Sequence, residues 1–302
     1  MTSPEPIAPQ ATEPLALRPM RFDGERRWAL ALEAPPGRGD ADAFVAAAEA
    51  ATARAARDGA ALAYGFVDAL HAEDTFARLG WTSLGPAPAL ARPLRLSAAA
   101  ARLGLPATAR AILPATPLVM PFGRRRRPGV REITTKDPRV TRLWDRFSID
   151  VGVAVERNAN HVGPRIWDRP DVDYRVLIFE DGDRYVIRAL CIFRTKARAD
   201  GIVGHVVELL HDRSVAGMRA ASHLLGLALR EMSDAGAEVA LAWSLVHSGS
   251  FPLFARHGFL PAARGGAARG VHVGVRAFDP ALEHVVAERH RWYLSGLDFD
   301  DV

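Results

Sequence analysis

A strand, a loop and a helix near the N-terminus could together bind an anion. Arg26 to Glu33 has the apolar content of a short strand, and Ala41 to Arg57 reads as a long alanine-rich helix with Asp40 or Asp42 as its N-cap. Unpaired backbone N–H groups and the positive end of the helix dipole converge at such a helix start. The alternative is an acid-capped surface loop, because Asp40 and Asp42 repel an anion unless they face away.

Two other features could take part in chemistry, and each has a simpler interpretation. Cys191 is the only cysteine and lies in an apolar run, which favours a buried core residue over a nucleophile. A single cysteine also excludes an internal disulfide and fits a reducing compartment. Arg124 to Arg127 is the only basic run, and we interpret it as a solvated linker instead of a nucleic-acid contact. The sequence shows no nucleophile-elbow spacing and no Cys/His cluster typical of structural zinc.

The composition is that of a globular protein with room for two domains. The chain has 302 residues, of which 49% are hydrophobic and 25% charged, with a net charge of +4. This mild charge disfavours nucleic acid as a partner. The sequence has neither the pattern of a signal peptide nor an apolar run of the ~18 residues that a membrane helix needs. We therefore expect a cytoplasmic protein that does not bind a membrane.

The elements that would position a site occur twice. Each copy has a helix ended by glycine, an apolar run of strand length, and a short helix followed by glycine and an aromatic residue. The first copy runs from Asp58 to Trp81 and the second from Asp234 to Phe259. From glycine to phenylalanine the count is 76 − 59 = 17 in the first copy and 254 − 236 = 18 in the second. A repeat of this kind predicts two related modules.

Hydrophobic patterning predicts the remaining elements. The predicted strands are Ala60–Phe66, Arg175–Phe179, Tyr185–Thr195, Gly201–Leu210 and Ala237–Trp243, and the predicted helices are Arg219–Met232 and Phe254–Gly258.

The repeated order resembles the C-terminal half of the GCN5-related N-acetyltransferase (GNAT) superfamily. Gly65 to Trp81, followed by Arg92-Pro-Leu94, looks like the G-F-P-N…F-x-x-L-G-W…R-P-L variant found in bacterial GNAT proteins, with Val67 and Asp68 in place of Pro-Asn. The resemblance implies an α/β fold of the α+β mixed-sheet type. It would contain two GNAT-like modules with mixed, mostly antiparallel sheets flanked by helices, and the first module would be truncated.

The resemblance also implies a division of the chain. We predict a disordered leader at 1–14, a partial N-terminal module at 15–95, a connector with an Arg-rich linker at 96–130, a C-terminal module at 131–278 and a C-terminal tail at 279–302. The first module lacks its opening strands, so it must leave a sheet edge unpaired or borrow strands from elsewhere. We therefore expect the two modules to pack together as one cooperative unit.

By this resemblance the chain is an acyl-CoA-dependent N-acyltransferase that uses acetyl-CoA as co-substrate and needs no metal. It would transfer the acyl group directly, in a ternary complex, to an amine of a small molecule or a peptide. The loop before the first long helix resembles the family's [Arg/Gln]-x-x-Gly-x-[Gly/Ala] pyrophosphate pattern. The implied donor-binding positions are Arg38, Gly39, Ala41 and Ala43 in the first module, and Leu209, Leu210, Arg213, Ser214, Gly217 and Arg219 in the second.

The resemblance implies catalytic roles as well. Glu208 lies where the family often has its general base, although a strand carboxylate paired with an arginine is an equally good interpretation. Phe76 and Phe254 stand where the family often has an acidic tyrosine, so His257, His247, water or the thiolate itself must serve. The alternative function is a catalytically silent GNAT-fold protein that binds or scaffolds a partner. The oligomeric state stays open, with a homodimer as one option.

Overall fold

A computed structural model describes residues 17–33, 41–102, 117–118, 126–182, 185–199, 201–262 and 270–299. The strands are β1 Leu17–Phe22, β2 Glu25–Glu33, β3 Leu62–Asp68, β4 Thr82–Pro86, β5 Ala89–Pro93, β6 Val130–Glu132, β7 Val153–Val155, β8 Arg175–Asp181, β9 Val186–Arg198, β10 Gly201–His211, β11 Val239–Trp243, β12 Leu260–Pro261 and β13 Val271–Ala277. The helices are α1 Ala41–Arg57, α2 Ala72–Leu79, α3 Leu96–Arg102, α4 Arg139–Phe147, α5 Ala159–Ile166, α6 Val215–Asp234, α7 Phe251–Arg256 and α8 Glu283–Ala287. The predicted leader at 1–14, Arg38 and Gly39 lie outside the described residues.

The strands form two mixed sheets. Sheet A has the order β4-β13-β3-β2-β1-β7, and sheet B has the order β12-β5-β11-β10-β9-β8-β6. Within the described residues, β2 pairs with β3 and β10 with β11 in parallel, while the other named strand pairs are antiparallel. Helices flank both sheets, which confirms the predicted mixed α/β fold class.

The two halves of the chain exchange strands. β5 follows the first copy of the repeat but pairs with β11 and β12 in sheet B. β13 follows the second copy but pairs with β3 and β4 in sheet A. In addition, β7 extends the edge of sheet A by pairing with β1. The predicted domain boundaries stay a prediction. Each of the two sheets contains strands from both halves of the chain.

Each sheet buries apolar side chains on both faces. One face of sheet A packs against α1 and α2 through residues such as Leu30, Val45 and Phe76. Its other face packs against residues that come late in the chain, among them Trp292 and Leu294. Sheet B packs against α6 on one face and against α4 and α5 on the other. One of the two faces of sheet A is therefore covered by residues from the C-terminal part of the chain.

Residues 292–299, called the C-terminal segment below, lie in the protein interior. Trp292, Tyr293, Leu294 and Leu297 are each no more than 4% exposed. Trp292 forms a parallel bridge with Val153 of β7, and its indole N–H donates to the carbonyl oxygen of Val286 at 2.9 Å. A stretch predicted as a tail thus completes the core between the two sheets.

Candidate functional site

The end of β10 departs from regular strand pairing. The parallel pairing of β10 with β11 stops at Val206 and Ala242, although β10 continues to His211. A β-bulge interrupts the pairing of β10 with β9 between Val206 and Glu208. Bulges re-aim side chains and are common beside functional sites. Here the bulge precedes Glu208, the predicted base.

Glu208 lies in a buried hydrogen-bond network. Arg157 Nε donates to Glu208 Oε2 at 2.7 Å, and the Ser295 hydroxyl donates to the same oxygen at 2.7 Å. The Tyr293 hydroxyl donates to Oε1. Arg157 also donates from Nη2 to Asp298 Oδ2 at 2.6 Å. Arg157, Glu208 and Asp298 are at most 1% exposed, so these buried charges meet the requirement that such groups be paired.

The network fixes the protonation of its members. Burial lowers the pKa of Arg157, but the Asp298 and Glu208 carboxylates outweigh it and leave that pKa above its usual value. Burial, reinforced by the Glu208 charge, raises the pKa of Tyr293, so its phenol stays protonated and donates. Both oxygens of Glu208 are already hydrogen-bonded. Its predicted role as a base stays a prediction, and it would require the C-terminal segment to move away.

The C-terminal segment lies between the end of β10 and the loop that follows β11. His247 Nε2 is 2.9 Å from the Trp292 carbonyl oxygen, and the Tyr293 N–H donates to the Val153 carbonyl at 2.9 Å. Deeper in the same region, the Ser250 hydroxyl donates to the Leu209 carbonyl at 2.7 Å. Residues of the chain itself therefore form hydrogen bonds with polar groups of β10 beyond its pairing with β11.

The N-terminus of α6 is satisfied by a carboxylate from the same loop. The Ser214 side chain caps α6 by accepting from the Gly217 N–H at 2.9 Å. Asp212 Oδ1 in turn accepts from the Ser214 N–H at 3.1 Å and from its hydroxyl. A Cβ at position 217 would overlap Asp212 Oδ1, so glycine allows this close approach. The positive end of the helix dipole thus already faces a negative charge.

Asp212 keeps that charge at neutral pH. Burial alone would raise its pKa, but hydrogen bonds from Ser214 and from the Arg188 guanidinium outweigh burial and lower it. Arg188 Nη1 donates to Asp212 Oδ2 at 2.8 Å. An incoming phosphate would meet a carboxylate at the helix start, and like charges in such proximity repel.

The first module offers a different arrangement at the corresponding place. β2 and β3 pair in parallel from Ala29 and Leu62 through to Glu33 and Phe66, where β2 ends. A Cβ at Gly65 would lie 2.8 Å from the Leu32 carbonyl oxygen, so glycine permits the close packing of the two strands. α1 begins at Ala41 as predicted, and residues 34–40 before it lie outside the described residues.

Solved structures share this architecture. No protein-family model and no curated protein matches the sequence. N-myristoyltransferase of Saccharomyces cerevisiae with bound myristoyl-CoA superposes with a TM-score of 0.56 at 12% identity, covering 86% of this chain and 65% of that one. A GCN5-related N-acetyltransferase of Anabaena variabilis gives a TM-score of 0.52 at 12% identity, covering 88% of this chain and 59% of that one. The chain has the GNAT fold.

A third similar structure is a probable N-acyltransferase of Enterococcus faecalis, with a TM-score of 0.53 and 11% identity over 88% of this chain and 58% of that one. The chain spans about three fifths of the length of these proteins, at 65%, 58% and 59%. At such identities the likeness shows the GNAT fold alone.

The other residues predicted from the GNAT resemblance are distributed as follows. Leu209 and Leu210 are buried, Ala43 is exposed on α1, and Arg219 is exposed on α6. Arg213 is exposed and forms an ion pair with Asp150. Ala41 begins α1. Ser214 and Gly217 thus lie at the α6 N-terminus while Leu209 and Leu210 lie on β10, and the donor-binding role of these positions stays a prediction.

His257 lies away from Glu208. Its Nε2 is 2.9 Å from the Ser222 hydroxyl of α6, and the ring is 2% exposed. Burial, with the charges of Arg92 and Arg256, lowers the pKa of His257 to about 4. Glu208 instead contacts Arg157 and the C-terminal segment, so the structure does not bring the two predicted catalytic residues together.

Phe76 and Phe254, which stand where many GNAT proteins have tyrosine, are core residues. They are 2% and 3% exposed, and they pack against Trp81 and Phe259 with ring centroids 6.2 and 5.2 Å apart. Cys191 is fully buried, and burial raises the pKa of its thiol.

The sequence predictions missed Arg157, Tyr293, Ser295 and Asp298. Their signal was weak, because each is a polar residue in a short irregular stretch. The run Trp292-Tyr293-Leu294 was the available clue, since three consecutive large side chains near a terminus call for burial. Arg126, from the basic run, forms ion pairs with Glu132 and Glu231 at 3.6 and 3.1 Å.

The described part of the chain has neither a membrane-spanning helix nor a cluster of metal ligands. None of its helices is long and apolar enough to cross a membrane. Its His, Cys, Asp and Glu side chains form no group of three or more that could hold a metal ion.

Proposed function

We propose that this protein is an acyl-CoA-dependent N-acyltransferase that holds the acyl-CoA in its first module. The observation that carries the proposal is that the second module's own residues take the places a donor would need. Asp212 satisfies the α6 N-terminus, and the C-terminal segment contacts β10 beyond its pairing with β11. The β2-loop-α1 unit of the first module remains, with Arg38, Gly39, Ala41 and Ala43 as the proposed pyrophosphate contacts.

The chemistry asks little of the protein. A thioester is already activated, so catalysis consists mainly of holding the thioester and the amine together and removing a proton. A myristoyl-CoA-bound enzyme among the similar structures supports an acyl-CoA donor. We propose acetyl-CoA as the donor and an amine of a small molecule or a peptide as the acceptor, with direct transfer in a ternary complex.

Calorimetric titration of the full chain with CoA and acetyl-CoA tests the proposal. Wild type should bind with a Kd below about 1 mM, equivalent to ~4 kcal/mol. Arg38→Ala should weaken binding at least tenfold, because it removes a proposed phosphate contact. Arg213→Ala, its counterpart in the second module, should leave binding within twofold. If Arg213→Ala alone weakens binding, the donor lies in the second module; if wild type does not bind, the enzyme proposal fails.

A catalytically silent binding protein is the second candidate. The observations that favour it are the burial of Glu208 and His257 and the phenylalanines at both tyrosine positions. Release of free CoA in the presence of a panel of amines separates the two. Turnover above the rate of acetyl-CoA hydrolysis supports the transferase, whereas CoA binding without turnover supports the silent protein.

A further inference from the structure

Arg194 of β9 and His205 of β10 form an unusual pair on sheet B. They are direct cross-strand partners, so their side chains lie on the same face of the sheet. Arg194 is 8% exposed and His205 is 2% exposed. A strongly polar pair is therefore held inside a region where apolar side chains are the rule.

Neither side chain has the partners that burial normally demands. Arg194 Nε and both ring nitrogens of His205 are buried without a hydrogen-bond acceptor or donor among the described residues. The contact that Arg194 makes is with the ring of Tyr174, 5.3 Å from the guanidinium carbon to the ring centroid. Arg157, which is fully buried, shows the usual solution with two carboxylates. A buried Nε–H without an acceptor costs folding free energy, and an anionic ligand that accepts from it would recover that cost.

Basic side chains follow Arg194 along β9, and the acid Glu238 lies beside Gly201, which pairs with Arg198. Lys196 and Arg198 follow Arg194 at alternate positions of β9, on the same face, and both are partly buried. Burial, together with Arg194, Arg198 and Lys196, lowers the pKa of His205 to about 3, so its ring is neutral and can donate one N–H. The nearby carboxylate, Asp171, is exposed and accepts from Arg169 at 3.0 and 2.9 Å. Asp171 forms its ion pair with Arg169, and the Arg194 charge makes a smaller contribution to the lowered pKa of Asp171.

We propose that Arg194 and His205 form a binding site for a small oxyanion, the carboxylate or phosphate group of a ligand. The Arg194 guanidinium would supply charge-assisted hydrogen bonds, and His205 one further donor. The Tyr174 ring packs against the guanidinium. This site is independent of the proposed acyl transfer.

Thermal unfolding of the full chain tests the site, with sodium phosphate and sodium acetate as probes against sodium chloride at equal ionic strength. A bound anion raises the midpoint saturably, since only the folded state binds it. Phosphate also stabilises proteins non-specifically by exclusion from their surface, so variants must separate the effects. Wild type and Arg131→Gln, an exposed arginine on the same sheet, should show the saturable rise, and Arg194→Gln should lose it.

A rise with phosphate alone, with acetate alone or with both supports the site and identifies the oxyanion. No saturable rise with either probe, or an equal rise in Arg194→Gln, overturns it. If Arg194→Gln does not fold, NMR titration of wild type provides the test. A saturable chemical-shift change of the His205 ring with either probe supports the site, and unchanged His205 signals overturn it.

Discussion

Gly217 is the residue on which the closure of the α6 N-terminus depends. An alanine there gains ~1 kcal/mol of helix propensity, but its Cβ overlaps the carboxylate of Asp212 and disturbs the cap. We expect Gly217→Ala to lower the free energy of unfolding by roughly 1 to 3 kcal/mol in urea titrations. Gly182→Ala is the matched control, because a Cβ there meets nothing within 4 Å. Equal stability of the two variants would contradict the close approach.

A substitution at Glu208 distinguishes two roles for this carboxylate, anchoring the C-terminal segment and acting as a catalytic base. Glu208→Gln removes one carboxylate from Arg157, and breaking a buried pair costs roughly 3 to 5 kcal/mol. If Glu208 anchors the C-terminal segment, kcat/KM for acyl transfer should stay within about tenfold of wild type at a temperature where the variant is folded. Loss of ~100-fold or more is the signature of a general base and would contradict the anchoring role.

The lowered pKa of His257 should make the free energy of unfolding decrease in mild acid. Its pKa of about 4 in the folded state is below the ~6.5 of an unfolded chain, so only the unfolded state binds a proton between these values. Stability is full above pH ~6.5 and falls by up to ~1.4 kcal/mol per pH unit towards pH 4. His257→Gln should flatten this slope in urea titrations from pH 7 to 5. His290→Gln, whose side chain is 74% exposed, should not change it.

At the scale of elements, the sequence pattern did not suggest that the C-terminal segment stabilises the core. Trp292 is 2% exposed and packs between the sheets, so Trp292→Ala should cost ~3 to 5 kcal/mol of unfolding free energy. His290→Ala, two residues away and largely exposed, should change stability by less than ~0.5 kcal/mol. Similar small effects from both variants would contradict this role and favour the predicted C-terminal tail at 279–302.

The bounds of the helices and strands also show how well the local sequence predicts where each element begins and ends. α1 was predicted to the residue at both ends, and β10 ends one residue beyond its prediction, because long apolar patterns fix such elements. α6 begins at Val215, four residues before the predicted Arg219, because Ser214 rather than the apolar stripe sets the start.

The sequence did not indicate which strands pair or which distant side chains come into contact. β5 follows the first copy in the chain, but its five residues do not indicate which sheet it joins. Likewise, nothing local links Asp298 to Arg157, because their pairing depends on a fold in which 298 − 157 = 141 positions separate them. The same limit hid the contacts of Glu208, whose neighbours come from both ends of the second half.

For the whole molecule, the exchanged strands make the two halves dependent on each other. A fragment of residues 130–302 lacks β5, which lies between β11 and β12, and leaves β13 without β3 and β4. We expect this fragment to lack a cooperative unfolding transition in circular dichroism, and an equimolar fragment of residues 1–129 to restore it. A soluble, monomeric 130–302 fragment that melts at the midpoint of the full chain would contradict this dependence.

The place of β13 in sheet A also constrains synthesis on the ribosome. β4 ends at residue 86 and β13 begins at residue 271, so 271 − 86 = 185 residues are added before the strand between β3 and β4 exists. At typical elongation rates this takes roughly 10 to 40 s. Throughout that time the nascent first half carries an unfilled position within a sheet, with backbone groups able to pair with any passing strand. Chaperone demand during translation should therefore concentrate on the first half of the chain.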